Sequence, residues 1–381
     1  MTSQTALGDE LAATIRKCTG CGACLNKCRF LQLYGLPKTI AETYKPALDF
    51  RLPYECSLCG LCDAVCPEGL EPSRLFLAMR RDAAASGRVA FAAYKIILGY
   101  EKTGNSPLFT YYGLPQGCDT VFFPGCTFSG TRPRTTRHVF SLLQELIPNL
   151  GLVMDCCNKI SHDLGRQNHF AAMFNPMRDF LIRHGIRRVL AACPNCYILF
   201  KTYGTALQVE TIYEHISRNG VPGNPGGHGP VTIHDPCPLR REDDVHNAVR
   251  DLAGRMGFSL RESKHKRDRT LCCGEGGSVG FVRGDLADEW RRRRRQEAEE
   301  LPVLTYCAGC AGFLGRDMRT FHIADALISP RACIDGTAPV ARAPFTYLNR
   351  LLLKRRFKRE LMGAQASVMW QSNAISPRGW K

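Results

Sequence analysis

A small helical N-terminal domain followed by a duplicated α/β unit with parallel sheets is the fold that the sequence predicts. Two cysteine runs of identical spacing lie within the first 66 residues, and a later set of five cysteines recurs at offsets of 111 to 116 positions. Short apolar runs rich in β-branched and aromatic residues alternate with helical patterns between those later cysteines. The predicted divisions are a helical domain at 1–85, a linker at 86–117, repeated units at 118–225 and 226–340, and a basic tail at 341–381.

The composition is that of an ordinary globular protein with many free thiols. The 381 residues are 44% hydrophobic and 23% charged, and 20 of them are cysteine. The N-terminus has no signal-peptide pattern, and the apolar stretches are shorter than the ~20 residues that cross a bilayer. We therefore expect a cytoplasmic protein, with membrane contact that is at most peripheral on the inner face of the cytoplasmic membrane. Thiols in that compartment bind metals instead of forming disulfides.

The first element is a pair of C-x2-C-x2-C-x3-C runs, which begin at Cys18 and Cys56. Three cysteines at this spacing surround one cubane, while the fourth is carried away to the other cluster. The pattern predicts two [4Fe–4S] clusters with crossed ligand sets: Cys18, Cys21, Cys24 and Cys66 for one, and Cys56, Cys59, Cys62 and Cys28 for the other. Zinc is the rival occupant, but zinc motifs use pairs of ligands. Cys56 follows Cys28 by 28 positions, so we expect helices between and around the loops, as in α-helical ferredoxins.

The second element is the repeated module. Strands are predicted at 120–123, 188–191, 231–233 and 303–306, each just before a cysteine, and helices at 136–146, 170–184 and 285–298 alternate with them. In open parallel sheets, ligands gather at the carboxyl ends of the strands. The helix N-termini that follow favour an anionic group there.

These residues resemble the heterodisulfide-reductase family of cysteine-rich (CCG) domain proteins, which includes the iron–sulfur subunits of anaerobic glycerol-3-phosphate dehydrogenase and glycolate oxidase. The resemblance covers roughly 18–327 and implies a noncubane [4Fe–4S] cluster, or occasionally zinc, at each five-cysteine motif. Carried over, the first site comprises Cys126, Cys156, Cys157, Cys193 and Cys196, and the second comprises Cys237, Cys272, Cys273, Cys307 and Cys310. Asn158 replaces a glycine that the second site keeps as Gly274, so zinc is the alternative occupant of the first site.

Three functions fit these motifs. The general one is an iron–sulfur subunit that relays electrons between a flavoprotein or other redox subunit and a further carrier, such as a membrane cytochrome or a quinone-linked subunit. The alternative is a catalytic disulfide reductase that works at a noncubane cluster, as the resemblance implies. Gly274, Gly276 and Gly277 lack the strand–GxGxxG–helix context of a dinucleotide site, so no catalytic residue is assigned and the enzyme question stays open.

The third function is a zinc-stabilised protein that binds nucleic acid through the run 291–295. The formal net charge of +16 favours it, but this value treats every cysteine as neutral, and four clusters would lower the charge to about +8. Acidic residues after the run indicate a solvated helical face, so we expect no nucleic-acid partner.

The remaining segments are interpreted from composition. Residues 351–362 mix apolar and basic side chains at helical spacing, which suits docking to an anionic membrane surface or to an acidic subunit, or packing on the chain's own domain. Little order is expected beyond Gly363. Cys118 and Cys333 are predicted to be core thiols, and four histidines near the cysteines are predicted to have structural or indirect roles: His162, His215, His234 and His322.

Overall fold

The structure is a computed structural model that describes residues 3–220 and 226–362. The expectation of little order beyond Gly363 falls outside these ranges. Among the helices of the described part, none is both long and apolar enough to cross a membrane.

The N-terminal part is helical, as predicted. Two of its helices begin with proline at the first position, where the missing N–H costs no hydrogen bond. Leu31, Leu75, Phe76 and Met79 form its buried core. Its helices are α1 (Ser3–Lys17), α2 (Arg29–Tyr34), α3 (Pro37–Thr43), α4 (Leu61–Ala64), α5 (Pro72–Ala85) and α6 (Lys95–Gly104), with 3-10 turns at Leu25–Lys27, Leu52–Glu55 and Phe91–Tyr94.

The first α/β unit contains a five-stranded sheet in the order β1-β3-β2-β4-β5. Its strands are β1 (Tyr111–Gly113), β2 (Thr120–Phe123), β3 (Gly151–Met154), β4 (Arg188–Ala191) and β5 (Gln208–Thr211). Its helices are α7 (Cys126–Thr131), α8 (Pro133–Leu146), α9 (Lys159–Asp163), α10 (Gln167–Arg183), α11 (Pro194–Tyr203) and α12 (Ile212–Arg218).

The second α/β unit contains a four-stranded sheet in the order β7-β6-β8-β9. Its strands are β6 (Pro230–His234), β7 (Ser259–Arg261), β8 (Val303–Thr305) and β9 (Thr320–His322). Its helices are α13 (Asp243–Arg255), α14 (Gly284–Ala298), α15 (Ala308–Leu314), α16 (Ile323–Ala326) and α17 (Pro330–Ile334), with 3-10 turns at Cys237–Leu239, Arg267–Arg269 and Gly276–Phe281. A final helix, α18 (Phe345–Met362), follows.

The two sheets have equivalent strand orders once β1 is set aside. β2, β3, β4 and β5 pair in parallel as β6, β7, β8 and β9 do. The prediction of parallel sheets is incomplete for the first unit, because β1 pairs with β3 in antiparallel orientation. This strand comes from the segment predicted as a linker, where a run of three buried residues is too short to show a strand period.

Helix α18 packs on the first α/β unit. Leu353, Phe357 and Leu361 are buried in the core that also contains residues of both sheets. The side chain of Leu361 lies so close to β1 that a Cβ on Gly113 would approach it to 2.5 Å. The inner face of the basic tail is therefore part of the domain core, as one of its two interpretations predicted.

A buried arginine joins the three parts of the chain. Arg80 on α5 is fully buried and donates hydrogen bonds to the backbone oxygens of Cys56 at 2.6 Å, Asp163 at 2.8 Å and Gly277 at 2.8 Å. These acceptors belong to the helical part, the first unit and the second unit respectively. The Arg80 guanidinium also lies 4.9 Å from the ring centroid of Tyr54. One side chain thus fixes how the cysteine-bearing parts are placed relative to one another.

Candidate functional site

One small cavity near the end of α1 and the start of α5 is surrounded by four thiols. Glycines with positive φ, Gly20 and Gly22, let the chain turn tightly around it. Burial, together with the neighbouring Cys18, raises the pKa of Cys24 to about 11 in the metal-free chain. The cysteines that line the cavity are Cys18, Cys21, Cys24 and Cys66. Three come from the first run and the fourth from the end of the second.

A second cavity is lined by the other four cysteines of the two runs. Apolar side chains close it, among them Phe30, Leu61 and Trp290. Burial, together with the neighbouring Cys59, raises the pKa of Cys28 to about 12, so ligation would have to displace these protons. The cysteines that line this cavity are Cys28, Cys56, Cys59 and Cys62. Each cavity thus collects one of the two crossed sets that the spacing predicts.

The first five-cysteine site lies at the carboxyl edge of the first sheet. Cys126 begins α7 after β2, the pair 156–157 follows β3, and Cys193 caps α11 after β4. A hydrogen bond from Cys156 lowers the pKa of Cys126 to about 6, and Cys157 contacts Cys196. A Cβ at Gly125 would lie 3.1 Å from the Cys196 Sγ, so close packing of the thiols requires glycine there. The structure therefore brings all five predicted cysteines together.

The second five-cysteine site repeats this arrangement on the second sheet. Cys237 follows β6, and Cys307 caps α15, whose first turn contains Cys310. Cys272 hydrogen-bonds with Cys237 and Cys273, and Cys273 with Cys310. Gly274 has a φ of +99°, and a Cβ there would approach the Ala287 backbone oxygen to 2.4 Å. Glycine is required at this turn, as its place in the motif suggested.

His234 is closer to the second site than sequence reasoning expected. Its ring is fully buried at the end of β6, and neither ring nitrogen has a hydrogen-bond partner among protein nitrogen and oxygen atoms. The ligand atoms of His234, Cys273 and Cys310 all lie within 4.8 Å of one another. The sequence placed this histidine three residues before Cys237 but gave no reason to distinguish it from the other histidines. The ring hydrogen-bonds with Cys273, so it adds a buried nitrogen to the thiols of this site.

The second five-cysteine site is in direct contact with the cysteines of the second cavity, Cys28, Cys56, Cys59 and Cys62. The Cys272 thiol donates a hydrogen bond to Cys59, which lowers the pKa of Cys59 to about 6. Arg240, just after Cys237, donates from Nε to the Cys59 backbone oxygen at 2.6 Å. Cys28, Cys59, Cys237 and Cys272 all belong to or border one buried cluster around Trp290.

The two five-cysteine sites are also neighbours. The buried hydroxyl of Tyr213 lies 2.9 Å from the backbone oxygen of Ala192 and 3.1 Å from that of Tyr306, the residues just before Cys193 and Cys307. Between the sites, desolvation of the carboxyl and the neighbouring Cys273 raise the pKa of Glu275 to about 8. A wide cleft with Thr127 and Ala308 on its walls reaches the flanks of both sites.

The donor sets fit iron–sulfur clusters. Two cavities present four thiols each, and two sheet edges present five each, with helix N-termini directed at an anionic group. The remaining thiols, Cys118 and Cys333, are buried away from these sets, as predicted. His162, His215 and His322 are buried in the cores of the α/β units.

Two family models match the chain. The 4Fe-4S dicluster domain matches residues 14–70, and the cysteine-rich domain (CCG) matches residues 120–201 and again 231–315. Together they cover more than half of the chain, and their three matches contain all eighteen assigned cysteines.

Several curated proteins are similar at low identity. One subunit of the dihydromethanophenazine:CoB–CoM heterodisulfide reductase of Methanosarcina barkeri is 25% identical over 293 residues, covering 67% of this chain and 69% of that protein. One subunit of the CoM/CoB fumarate reductase of Methanothermobacter marburgensis is 24% identical and covers 78% and 66%. The glycolate oxidase iron–sulfur subunit of Escherichia coli is 21% identical and covers 83% and 94%.

Proposed function

Because the chain belongs to the family of iron–sulfur proteins that join a 4Fe-4S dicluster domain to cysteine-rich domains, we propose that it relays electrons as one subunit of a larger oxidoreductase. When bound, iron–sulfur clusters would supply one-electron oxidation and reduction at each of four ligand sets. The relatives named as subunits of heterodisulfide reductase and glycolate oxidase support this role. A partner flavoprotein or other redox subunit would then carry out the chemistry on the organic substrate.

The main support for this proposal is the hydrogen bond between the thiols of Cys59 and Cys272. It joins two of the four ligand sets: the Cys28 set (Cys28, Cys56, Cys59 and Cys62) and the Cys237 site (Cys237, Cys272, Cys273, Cys307 and Cys310). Arg240 holds the Cys59 loop against the second α/β unit, and Tyr213 holds the loops of the two five-cysteine sites together. The proposed order is a row that begins at the Cys18 set (Cys18, Cys21, Cys24 and Cys66), continues through the Cys28 set and the Cys237 site, and ends at the Cys126 site (Cys126, Cys156, Cys157, Cys193 and Cys196). This order suits the passage of single electrons in either direction.

Magnetic coupling between reduced clusters tests this order. Cys21→Ser removes a ligand from the end of the row, so we expect the coupling between the Cys28 set and the Cys237 site to persist in EPR spectra. Cys59→Ser removes a ligand from the middle of the row and should abolish that coupling. Iron content checks that each variant loses about four iron atoms. Absence of coupling between the clusters of the Cys28 set and the Cys237 site in the unsubstituted protein would contradict the proposed order.

A second function, disulfide reduction, is favoured by the cleft that reaches both five-cysteine sites. A small disulfide could lie between the two sites and accept two electrons from them. The test mixes anaerobic, viologen-reduced protein with a mixed disulfide of two small thiols and counts the thiols released. Two thiols per two electrons would make the chain catalytic, whereas no release above that of the Cys59→Ser variant leaves it a relay.

The cellular location that we propose follows from the redox partners proposed above. We propose that the chain works on the cytoplasmic side of the membrane, where its free thiols stay reduced and a membrane-bound carrier is within reach. Its contact with the bilayer would be peripheral.

A further inference from the structure

The outer face of α18 is apolar although its inner face already fills the domain core. Phe345, Leu348 and Leu352 are 63%, 50% and 50% exposed, and they lie three, four and seven positions apart, on one side of the helix. The same side continues with exposed Arg355 and Arg359. Packing against the described residues therefore does not explain this row of side chains. We refer to Phe345, Leu348 and Leu352 as the apolar face.

Cations border the apolar face at the far end of α18. Arg355, Lys358 and Arg359 have no carboxylate within 4 Å among the described residues. The only acid in α18, Glu360, is paired with Arg356 at 2.8 Å and with Arg137 at 3.5 Å. The net charge, which stays positive at about +8 when four clusters are bound, adds attraction toward an anionic surface.

We propose that this face docks on an anionic lipid bilayer, with the apolar side chains in the interface and the cations on lipid phosphates. Apolar side chains followed by unpaired cations are the combination that binds such surfaces. Arg355, Lys358 and Arg359, which have no carboxylate partner among the described residues, favour an occupant with many anionic groups, such as a bilayer of anionic lipid. The inference does not depend on the proposed electron relay.

Flotation of the full-length, cluster-loaded protein with vesicles tests the proposal. Vesicles of equal parts phosphatidylglycerol and phosphatidylcholine should bind the protein at low salt, whereas pure phosphatidylcholine vesicles should not. Arg355→Gln/Arg359→Gln should weaken binding about thirtyfold, since each cation near the surface contributes about a fivefold gain. Leu348→Glu/Leu352→Glu should weaken it at least about tenfold.

The matched control is Leu33→Glu/Leu48→Glu, which makes the same charge change at exposed leucines of the helical N-terminal part. Unchanged iron content and circular dichroism verify that each variant is folded. Binding reduced equally by the control and the α18 variants would overturn the proposal, as would equal binding to both vesicle types. A dimer in light scattering that Leu348→Glu/Leu352→Glu abolishes would assign the face to a second copy of the chain instead.

Discussion

At the scale of single residues, the cysteine spacing was sufficient to propose the two crossed cubane sets, because cluster loops impose fixed intervals on the chain. The two five-cysteine sets followed from the family resemblance. Asn158 stands where the second site keeps a glycine, and this difference suggested zinc as an alternative occupant of the first five-cysteine site. The structure gives a reason for it: Asn158 has a φ of +59° and Gly274 a φ of +99°, and asparagine is among the few other residues that adopt left-handed backbone. The nearness of His234 to Cys273 depends on tertiary packing, which spacing does not reveal.

Substitution of His234 tests its role at the second five-cysteine site. His234→Ala should leave the iron content unchanged and lower the midpoint potential of that cluster by roughly 50 mV, the equivalent of one hydrogen bond of about 1 kcal/mol to a thiolate. Redox-poised EPR measures the shift, with the exposed His138→Ala as the control. A loss of about four iron atoms would make His234 an obligatory ligand.

Glu101 predicts a dependence of stability on pH. It is buried and accepts hydrogen bonds from Ser161, and burial raises its pKa to about 7. The native state therefore keeps this proton up to about pH 7, while the unfolded chain releases it near pH 4.5, so stability should fall as pH rises across that window. Glu101→Gln should remove up to about 3 kcal/mol of the change in the free energy of unfolding across this pH window, as measured by chemical denaturation. The exposed Glu145→Gln should leave the slope unchanged, and an unaltered slope in Glu101→Gln would contradict the assignment.

At the scale of elements, the predicted strands and helices next to the cysteines are present because each has a buried apolar run or a helical period. Five further strands, β1, β3, β5, β7 and β9, were not predicted. The run 291–295 needed the structure for its interpretation. In α14, the Arg291 side chain pairs with Asp317, Arg293 donates to the Lys27 backbone oxygen at 2.8 Å, and buried Arg294 donates to that of Ile233. These arginines hold α14 to neighbouring elements. The acidic residues that follow the run in sequence did not indicate this role.

Substitutions of Arg294 and of its exposed neighbour Arg295 should therefore differ sharply in their effect on the free energy of unfolding. Arg294→Met leaves the Ile233 oxygen without this donor and should cost about 2–4 kcal/mol. Arg295→Met, at an exposed position, should change the free energy of unfolding by less than about 0.5 kcal/mol. Denaturant titration compares the two variants, and equal effects would show that burial of Arg294 contributes nothing.

At the scale of the whole molecule, the order of the ligand sets could not be predicted from sequence. Cys59 and Cys272 are 213 positions apart, and no period or motif relates them. Their contact depends on how α5, the loop after Cys56 and the second α/β unit pack around Arg80 and Arg240. The fold of each part was thus accessible from local patterns, whereas the connection between the parts was not.

Arg80→Met should loosen this packing. It removes donors to three parts of the chain from a fully buried position, so we expect a loss of about 3–5 kcal/mol in stability and weaker coupling between the Cys28 set and the Cys237 site. Thermal unfolding and EPR of the anaerobic protein measure the two effects. The exposed Arg183→Met should alter neither, and a fully coupled Arg80→Met protein would contradict the role of this residue.

The metal content of each cysteine set is tested most directly by counting iron, labile sulfide and zinc in anaerobically purified protein and in single Cys→Ser variants. Four clusters predict about sixteen iron atoms per chain, and about twelve after Cys21→Ser or Cys272→Ser, with Cys118→Ser unchanged. About eight iron atoms with zinc would restrict the electron path to the helical N-terminal part. A preparation with zinc alone would contradict the iron–sulfur function altogether.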